Sequence, residues 1–366
     1  GIYADAGSQP TITGNTFTGN TYPVKIYGRN IDNNLSGNTY SGNSAADNSS
    51  SDYIYVYGDG DDYRLSENKT YDWLKDGAPY RIMDDIHVWE DNDNNQVAIL
   101  KIYPQVTLAF NPSKYLYIGS TGDGDAGALQ ADSVTFTSVD SASAWSQIRM
   151  RIYSRDDLTE LNHCIIENAS FGIYCESANP TITNSTIRNN TYGIYADAGS
   201  QPTITGNTIQ LNTVGFTIYN SSGNYTVGGS MENNNSIQLN DSYGLVNYDT
   251  ENTLNAEYNY WGSLSGPYHE NNPTGGGDQI SGLVDFDPWV KIDAPENLTA
   301  APGLFGNQLS WDALVDESLA QYYIFRSTTV DQIIKHDSVT ALQPSFIDRD
   351  ISRDSVYFYR VAGADS

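Results

Sequence analysis

Two cysteines in 366 residues, Cys164 and Cys175, leave this chain without the material for a disulfide framework. Neither stands in a CxxC or Cys/His cluster of metal-binding spacing, so both read as inert thiols. Basic residues are also scarce, 18 against 45 acidic ones, for a formal net charge of -27. Such a surface repels phosphate backbones and anionic lipid, which argues against nucleic acid and membrane surfaces as partners. No apolar run approaches the roughly twenty residues that span a bilayer, and no initiator Met or secretory h-region is present. The chain therefore reads as soluble, or as a piece of something larger. Leu, Met and Lys, the good helix formers, are sparse, while Asn, Asp, Ser, Thr, Gly and Tyr dominate. That composition suits strands and turns rather than helices. At this length it points to two domains or to one elongated repeat.

The repeat is explicit. The sixteen residues GIYADAGSQPTITGNT at 1–16 return unchanged at 193–208, an offset of 192. The second copy lies in a tract of similar units, FGIYCESANPTITNSTIRNNT, YGIYADAGSQPTITGNTIQLNT, VGFTIYNSSG and NSIQLNDSYGLVNY, in which Ile182 to Ile204 and Ile187 to Ile209 are each 22 residues apart. A period of that size suits one coil of a solenoid. Runs such as TIT and STI alternate polar and apolar residues, the strand signature, and Asn or Gly punctuates them where the backbone bends.

Stacked coils would align Ile182 over Ile204, Ile187 over Ile209 near Ile237, and Ile173, Ile194, Phe216 and Leu245 in a third column. Asn190 and Asn212 fall at one corner and are placed to hydrogen-bond from coil to coil. His163 fills the corner that Asn184 occupies one coil later, which makes it a turn residue. Between the copies, further core strands are expected at Ile86 and Val88, at Val97, Ile99 and Leu100, and at Val106, Leu108 and Phe110. Val134, Phe136, Trp145 and Ile148 are expected to point inward as well. The 192-residue offset reads as one module of a tandem array, with residues 1–60 the end of a preceding module and 61–291 a second one.

On GIYADAGSQPTITGNTI, on APYRIMDDIHV, VAILKIYPQVTLAF, GALQADSVTFTS and AWSQIRM, and on NAEYNYWGSLSGPYHENNPTGGGDQISGLVDFDPWV, with Trp261, Gly262, Gly266 and Pro267, the chain resembles the right-handed parallel β-helix repeat proteins of the pectate-lyase-like class. The resemblance covers roughly 1–291, supplies the handedness of the coil, and implies a secreted or surface location and a carbohydrate-related role. After a linker at 292–295, NQLSWDAL, AQYYIFRSTT, PSFIDRD and SVYFYRVAGADS read as strands of an antiparallel sandwich. This stretch, 296–366, resembles a fibronectin type III module with Trp311 and either Tyr357 or Tyr359 in its core, and with its last strand missing. The expected fold class is all-β, a parallel β-helix followed by a small antiparallel β-sandwich.

Three sets of candidate site residues emerge. The resemblance implies that a lyase of this class would use Ca²⁺ and a basic residue that removes a proton beside a uronate carboxyl group; Arg149, Arg151 and Arg155, next to Asp156 and Asp157, are the candidates, against a solvated strand face. Loops with Asp59, Asp61 and Asp62, with Asp91 and Asp93, and with Asp123 and Asp125 carry the oxygen ligands a structural Ca²⁺ wants, although none completes a recognised calcium motif. No cofactor is otherwise required. Among the 28 tyrosines, Tyr153, Tyr174, Tyr192 and Tyr195 fall near the same coils and could stack on sugar rings, or could simply shield a sheet face. His87, His163, His269 and His336 are scattered and adjoin no nucleophile motif.

Together these features favour a non-enzymatic extracellular or cell-surface rod, adhesin or filament subunit, with itself, joined head to tail, or an extracellular glycan as partner. The alternative is a calcium-dependent polysaccharide lyase or a glycoside hydrolase on the same scaffold.

Overall fold

Short strands follow one another with no α-helix among the described residues; the helical elements described are two 3-10 turns, Gly28–Asn30 and Asp156–Leu158. The computed structural model describes all residues except 6, 33, 45–50, 59–63, 91–95, 123–124, 221–224, 231–232, 264, 291, 294, 296, 315–318, 329–333, 341, 353–354 and 366. The chain divides into two compact units, residues 1–259 with 278–287, and residues 260–277 with 288–366.

The first unit is a solenoid of parallel strands. Its first sheet stacks ten of them in the order Ile2–Ala4, Val24–Tyr27, Ile54–Tyr57, Tyr80–Ile82, Thr107–Phe110, Thr135–Ser138, Ile165–Glu167, Thr186–Arg188, Thr208–Gln210 and Ser236–Gln238. A second sheet stacks Ile86–Val88, Tyr115–Ile118, Gln147–Met150, Phe171–Glu176, Tyr192–Asp197, Val214–Ile218, Tyr243–Asn247 and Gly277–Ser281. A third runs from Thr70–Trp73 through Val97–Ile102, Ala126–Asp132, Glu160–Asn162 and Thr181–Thr183 to Thr203–Thr205. The chain visits the second, third and first sheets in turn and then climbs to the next coil.

Period-two alternation decides what faces in. Ile182 pairs with Ile204, Ile187 with Ile209 and then Ile237, and Ile173 with Ile194, Phe216 and Leu245, as the 22-residue spacing predicts. All of these side chains are buried, as are Ile86, Val88, Val97, Leu100, Val106, Leu108, Phe110, Val134, Phe136, Trp145 and Ile148. Ile99 differs, being only partly buried: Ala98, Leu100 and Ile102 take the inward positions of its strand, and Ile99 packs with Leu158 over Val97, Ala126 and Ala128 on the outer side.

Corners are made by left-handed residues and asparagine ladders. His163, Asn184 and Gly206 occupy one corner position on consecutive coils with φ of 51°, 50° and 69°. Glycine suits such a position and Asn tolerates it, whereas a β-branched residue would be strained. Buried Asn190 donates its backbone N–H and its side-chain amide to Asn212 Oδ1, both at 3.0 Å, and Asn212 repeats this onto Asn240 at 3.1 and 3.0 Å. The ladder ends on a carboxylate, Asp278, which accepts from both groups of Asn240 at 3.0 and 2.7 Å. Asn38 ends in the same way on Asp76, and Asn43 on Asp52. A carboxylate offers acceptors and no donor, so it can close a ladder but cannot continue one.

The two identical sixteen-residue copies do not occupy the same sheet. In the second copy the GIY strand, Tyr192–Asp197, lies in the second sheet and the NTI strand, Thr208–Gln210, lies in the first. In the first copy the GIY strand, Ile2–Ala4, is itself the start of the first sheet. The column that carries GIY in the early coils therefore carries NTI in the later ones. The change falls between Ile54–Tyr57 and Ile86–Val88, where the second sheet begins.

The second unit holds two antiparallel sheets. Thr299–Gly303, Gly306–Ser310 and Ser345–Asp348 form one. Ile292–Asp293, Phe358–Asp365, Leu319–Ser327 and Ile334–Thr340 form the other, so that residues expected in a linker instead pair along the edge of a sheet. Leu309, Trp311, Tyr322, Ile324 and Val361 make the core, against which Tyr359 also packs. Asp348, fully buried, ties the two sheets together: it accepts from Arg326 at 2.9 and 3.0 Å and from Tyr359 Oη at 2.7 Å, with His336 at 3.3 Å. Burial pushes its carboxyl up, but the Tyr359 hydroxyl and the Arg326 guanidinium outweigh this and hold it below the usual range. In the same unit Trp261 is buried, and Gly266 (φ 76°) lies so close to Trp289 that a Cβ would meet its ring at 2.6 Å, which accounts for that glycine.

Candidate functional site: an outward aromatic row

Alternation that sends Ile173 and Ile194 inward sends their neighbours Tyr174 and Tyr195 outward. Along the second sheet the register opposite the core runs His87, Tyr117, Arg149, Tyr174, Tyr195, Thr217, Val246, of which the last two are buried. Three residues earlier on the same two strands, Phe171 lies beside Tyr192. Seven strands at roughly 4.8 Å spacing make this row about 30 Å long.

The rings touch in two groups, one on each side of Arg149. His87 stacks on Trp89 at 4.6 Å and meets Tyr117 edge-on at 5.0 Å, and Tyr117 stacks on Tyr115 at 4.9 Å. Tyr174 and Tyr195 stack at 5.1 Å, Phe171 and Tyr192 at 4.9 Å, and the two pairs meet edge to face. Tyr219 continues from Tyr195 at 6.2 Å, and Tyr248 meets Tyr219 edge to face at 5.7 Å. These last two rings are 41% and 59% exposed, so they offer open faces to solvent. Phe171, Tyr174, Tyr192 and Tyr195 are half-buried.

Charge is balanced within the row. Arg149 lies over the Tyr174 ring, 4.8 Å from its centroid, and pairs with Glu176 at 3.0 Å. Arg151 lies 4.0 Å over Tyr117. Asp197 accepts from Tyr174 Oη at 2.7 Å and stands next to Glu176 in register. Burial, then Asp197, raises the Tyr174 phenol; burial followed by the same carboxylate pushes Tyr195 up to about 12. Both hydroxyls therefore stay protonated near neutrality.

Tyr174, Tyr192 and Tyr195 are thus brought together, whereas Tyr153 lies in the turn after Gln147–Met150 and joins none of these ring pairs. Arg149 and Arg151 stand on the row. Arg155 does not: it is held by Asp157 at 2.8 and 2.9 Å in its own 3-10 turn. Asp59, Asp61, Asp62, Asp91, Asp93 and Asp123 lie outside the described residues; Asp125 is described, and its backbone N–H bonds to Gly122 O at 3.4 Å. Among the described residues no three His, Cys, Asp or Glu side chains gather as a metal-binding group. The sequence argument missed His87, Tyr117, Phe171, Glu176, Asp197, Tyr219 and Tyr248. The signal was the tyrosine directly after a core isoleucine, as in Ile173-Tyr174, Ile194-Tyr195 and Ile218-Tyr219.

A family model described as a right handed beta helix region matches residues 123–265. The solenoid is a right-handed parallel β-helix. This match covers most of the coils that carry the row. A comparison with curated proteins finds no match. Among the described residues no helix is long and apolar enough to cross a membrane.

Proposed function

We propose that this protein is a non-catalytic, extracellular or cell-surface β-helix rod that holds a polysaccharide chain along the outward aromatic row. The observation that carries the reading is the two runs of rings on one sheet, His87 to Tyr117 and Phe171 to Tyr248, joined across one coil by Arg149 and Arg151, which lie over Tyr174 and Tyr117, with protonated phenols along them. Sugar rings present apolar C–H faces and hydroxyl rims, and Tyr offers an apolar face and a donor on a side chain that loses little entropy on binding. A row of about 30 Å at 4.8 Å per strand suits a chain of several sugars rather than a single one. The antiparallel unit, with Trp311 at its centre, would serve as a fibronectin-like connector.

The pairing of Arg149 with Glu176 weighs against the lyase alternative, since a proton-abstracting base must be free to meet its substrate. Affinity electrophoresis through gels containing hydroxyethyl cellulose, xylan or polygalacturonate tests the proposal. At least one polymer should retard the wild-type protein and retard Tyr174→Ala/Tyr195→Ala measurably less. Equal mobility of wild type and variant in all three gels would refute it, and appearance of cleaved, unsaturated sugars would refute its non-catalytic part.

A further inference from the structure

The second aromatic row of the molecule lies on a different sheet. In the early coils the outward register of the first sheet runs Tyr3, Lys25, Tyr55, Arg81; Tyr3 is 63% exposed, whereas Tyr55 is buried beneath its neighbours, so the open rings of this row are Tyr3 and Tyr22. Tyr22, 43% exposed, folds edge-on against Tyr55 at 4.9 Å, and Tyr53 meets the same ring at 6.2 Å. Lys25 Nζ sits 3.9 Å from the Tyr22 centroid and 5.7 Å from that of Tyr57, while the Arg81 guanidinium is 5.6 Å from both Tyr53 and Tyr55. This is the arrangement of the other row, where Arg149 and Arg151 lie over Tyr174 and Tyr117. It also descends from the same words of sequence, because Tyr3 and Tyr195 occupy the same place in the sixteen-residue copies.

The later coils of the first sheet carry no such row: its outward register continues as Ala109, Thr137, Glu167, Arg188, Gln210 and Gln238. The second sheet starts only at Ile86–Val88, around the corner from Arg81. Each copy thus has one aromatic row, and the change of column between the copies turns the two rows onto different faces. A polysaccharide lying straight along one row leads off the end of that face rather than onto the other row.

We infer that the protein is bivalent, binding two separate polysaccharide chains on two faces and so cross-linking them. This rests on the reading of the aromatic rows as sugar-binding surfaces. If a single chain engaged both rows, the second contact would be intramolecular, and losing one row would cost on the order of 10²- to 10⁴-fold in affinity. If the rows bind separate chains, each keeps its own affinity and losing one removes only the link.

The test uses light scattering on mixtures of the whole protein with hydroxyethyl cellulose, xylan and polygalacturonate, alongside gel retardation in the same polymers. Wild type should retard and should give a scattering maximum at intermediate protein-to-polymer ratio. Tyr22→Ala/Lys25→Ala and Tyr174→Ala/Tyr195→Ala should each lose the maximum and still bind, with per-site affinity within about 3-fold of wild type, far from the loss expected of a shared chain. The exposed pair Tyr219→Ala/Tyr248→Ala gives a second test of the later row should the buried-edge variant fold poorly. Retardation of the wild type without a scattering maximum overturns the inference alone, as does a maximum that survives in either single-row variant. No retardation in any polymer overturns both this inference and the function it rests on.

Discussion

Replacing Asn212 by Ala should destabilise the β-helix far more than the same change at Asn189, which lies at the same corner on the adjacent coil. Asn212 is fully buried. Its Oδ1 accepts from the backbone N–H and the side-chain amide of Asn190, each at 3.0 Å, and its Nδ2 donates to Ile187 O and Asn240 Oδ1, each at 3.0 Å. Truncation leaves two buried donors of Asn190 without an acceptor. At about 1–3 kcal/mol for each orphaned group, partly relieved if water enters the gap, the loss comes to about 3–5 kcal/mol. Asn189 is exposed, with φ 56°, so its replacement by Ala sacrifices mainly tolerance of a left-handed backbone, about 1 kcal/mol. Urea unfolding followed by far-UV circular dichroism, with m values compared, measures both. A loss below about 1 kcal/mol at Asn212, or equal losses at the two sites, would refute the view that the ladder holds coil to coil.

Asp348→Asn should weaken the antiparallel unit by about 3 kcal/mol by leaving Arg326 without its buried counter-charge. Because the Asp348 carboxyl is held below its ordinary value, its contribution is fully present above the usual carboxylate range and is lost as pH falls through the depressed value; acid titrations of stability should show this slope in wild type and not in the variant. Leu239, 62% exposed with φ 59°, should tolerate Asn with a gain of about 0.5–1 kcal/mol, read as a higher midpoint of unfolding, since Asn enters the left-handed region more easily. Burial pushes the Cys164 thiol up to about 12 and raises Cys175 too, so neither should react with a thiol reagent at pH 8 until the protein unfolds; fast labelling of the native protein would contradict their burial.

The core was legible because it repeats. Ile182 over Ile204 and Ile187 over Ile209 follow from spacing, and Asn190 over Asn212 follows from the need to satisfy a buried corner. The ladder ends were not legible: Asp76 and Asp278 each lie 38 residues beyond the Asn they close, a distance set by an irregular coil and not by the period. Nor could sixteen identical residues announce that they sit on different sheets, because their local preferences are the same and the face is chosen by the path between Tyr57 and Ile86. Tyrosines were visible as a composition, but only strand register turned Tyr174 and Tyr195 into a row and excluded Tyr153. Arg149 looked available in sequence because Glu176, its partner, lies one coil away.

The most direct test of the account is a crystal structure of the protein soaked with cellohexaose, xylohexaose or hexagalacturonate. The account predicts sugar density lying along the outward face of the second sheet, with rings against Tyr219 and Tyr248 and hydroxyls near Tyr174 and Tyr195. Sugar bound elsewhere on the molecule with that face bare would contradict it.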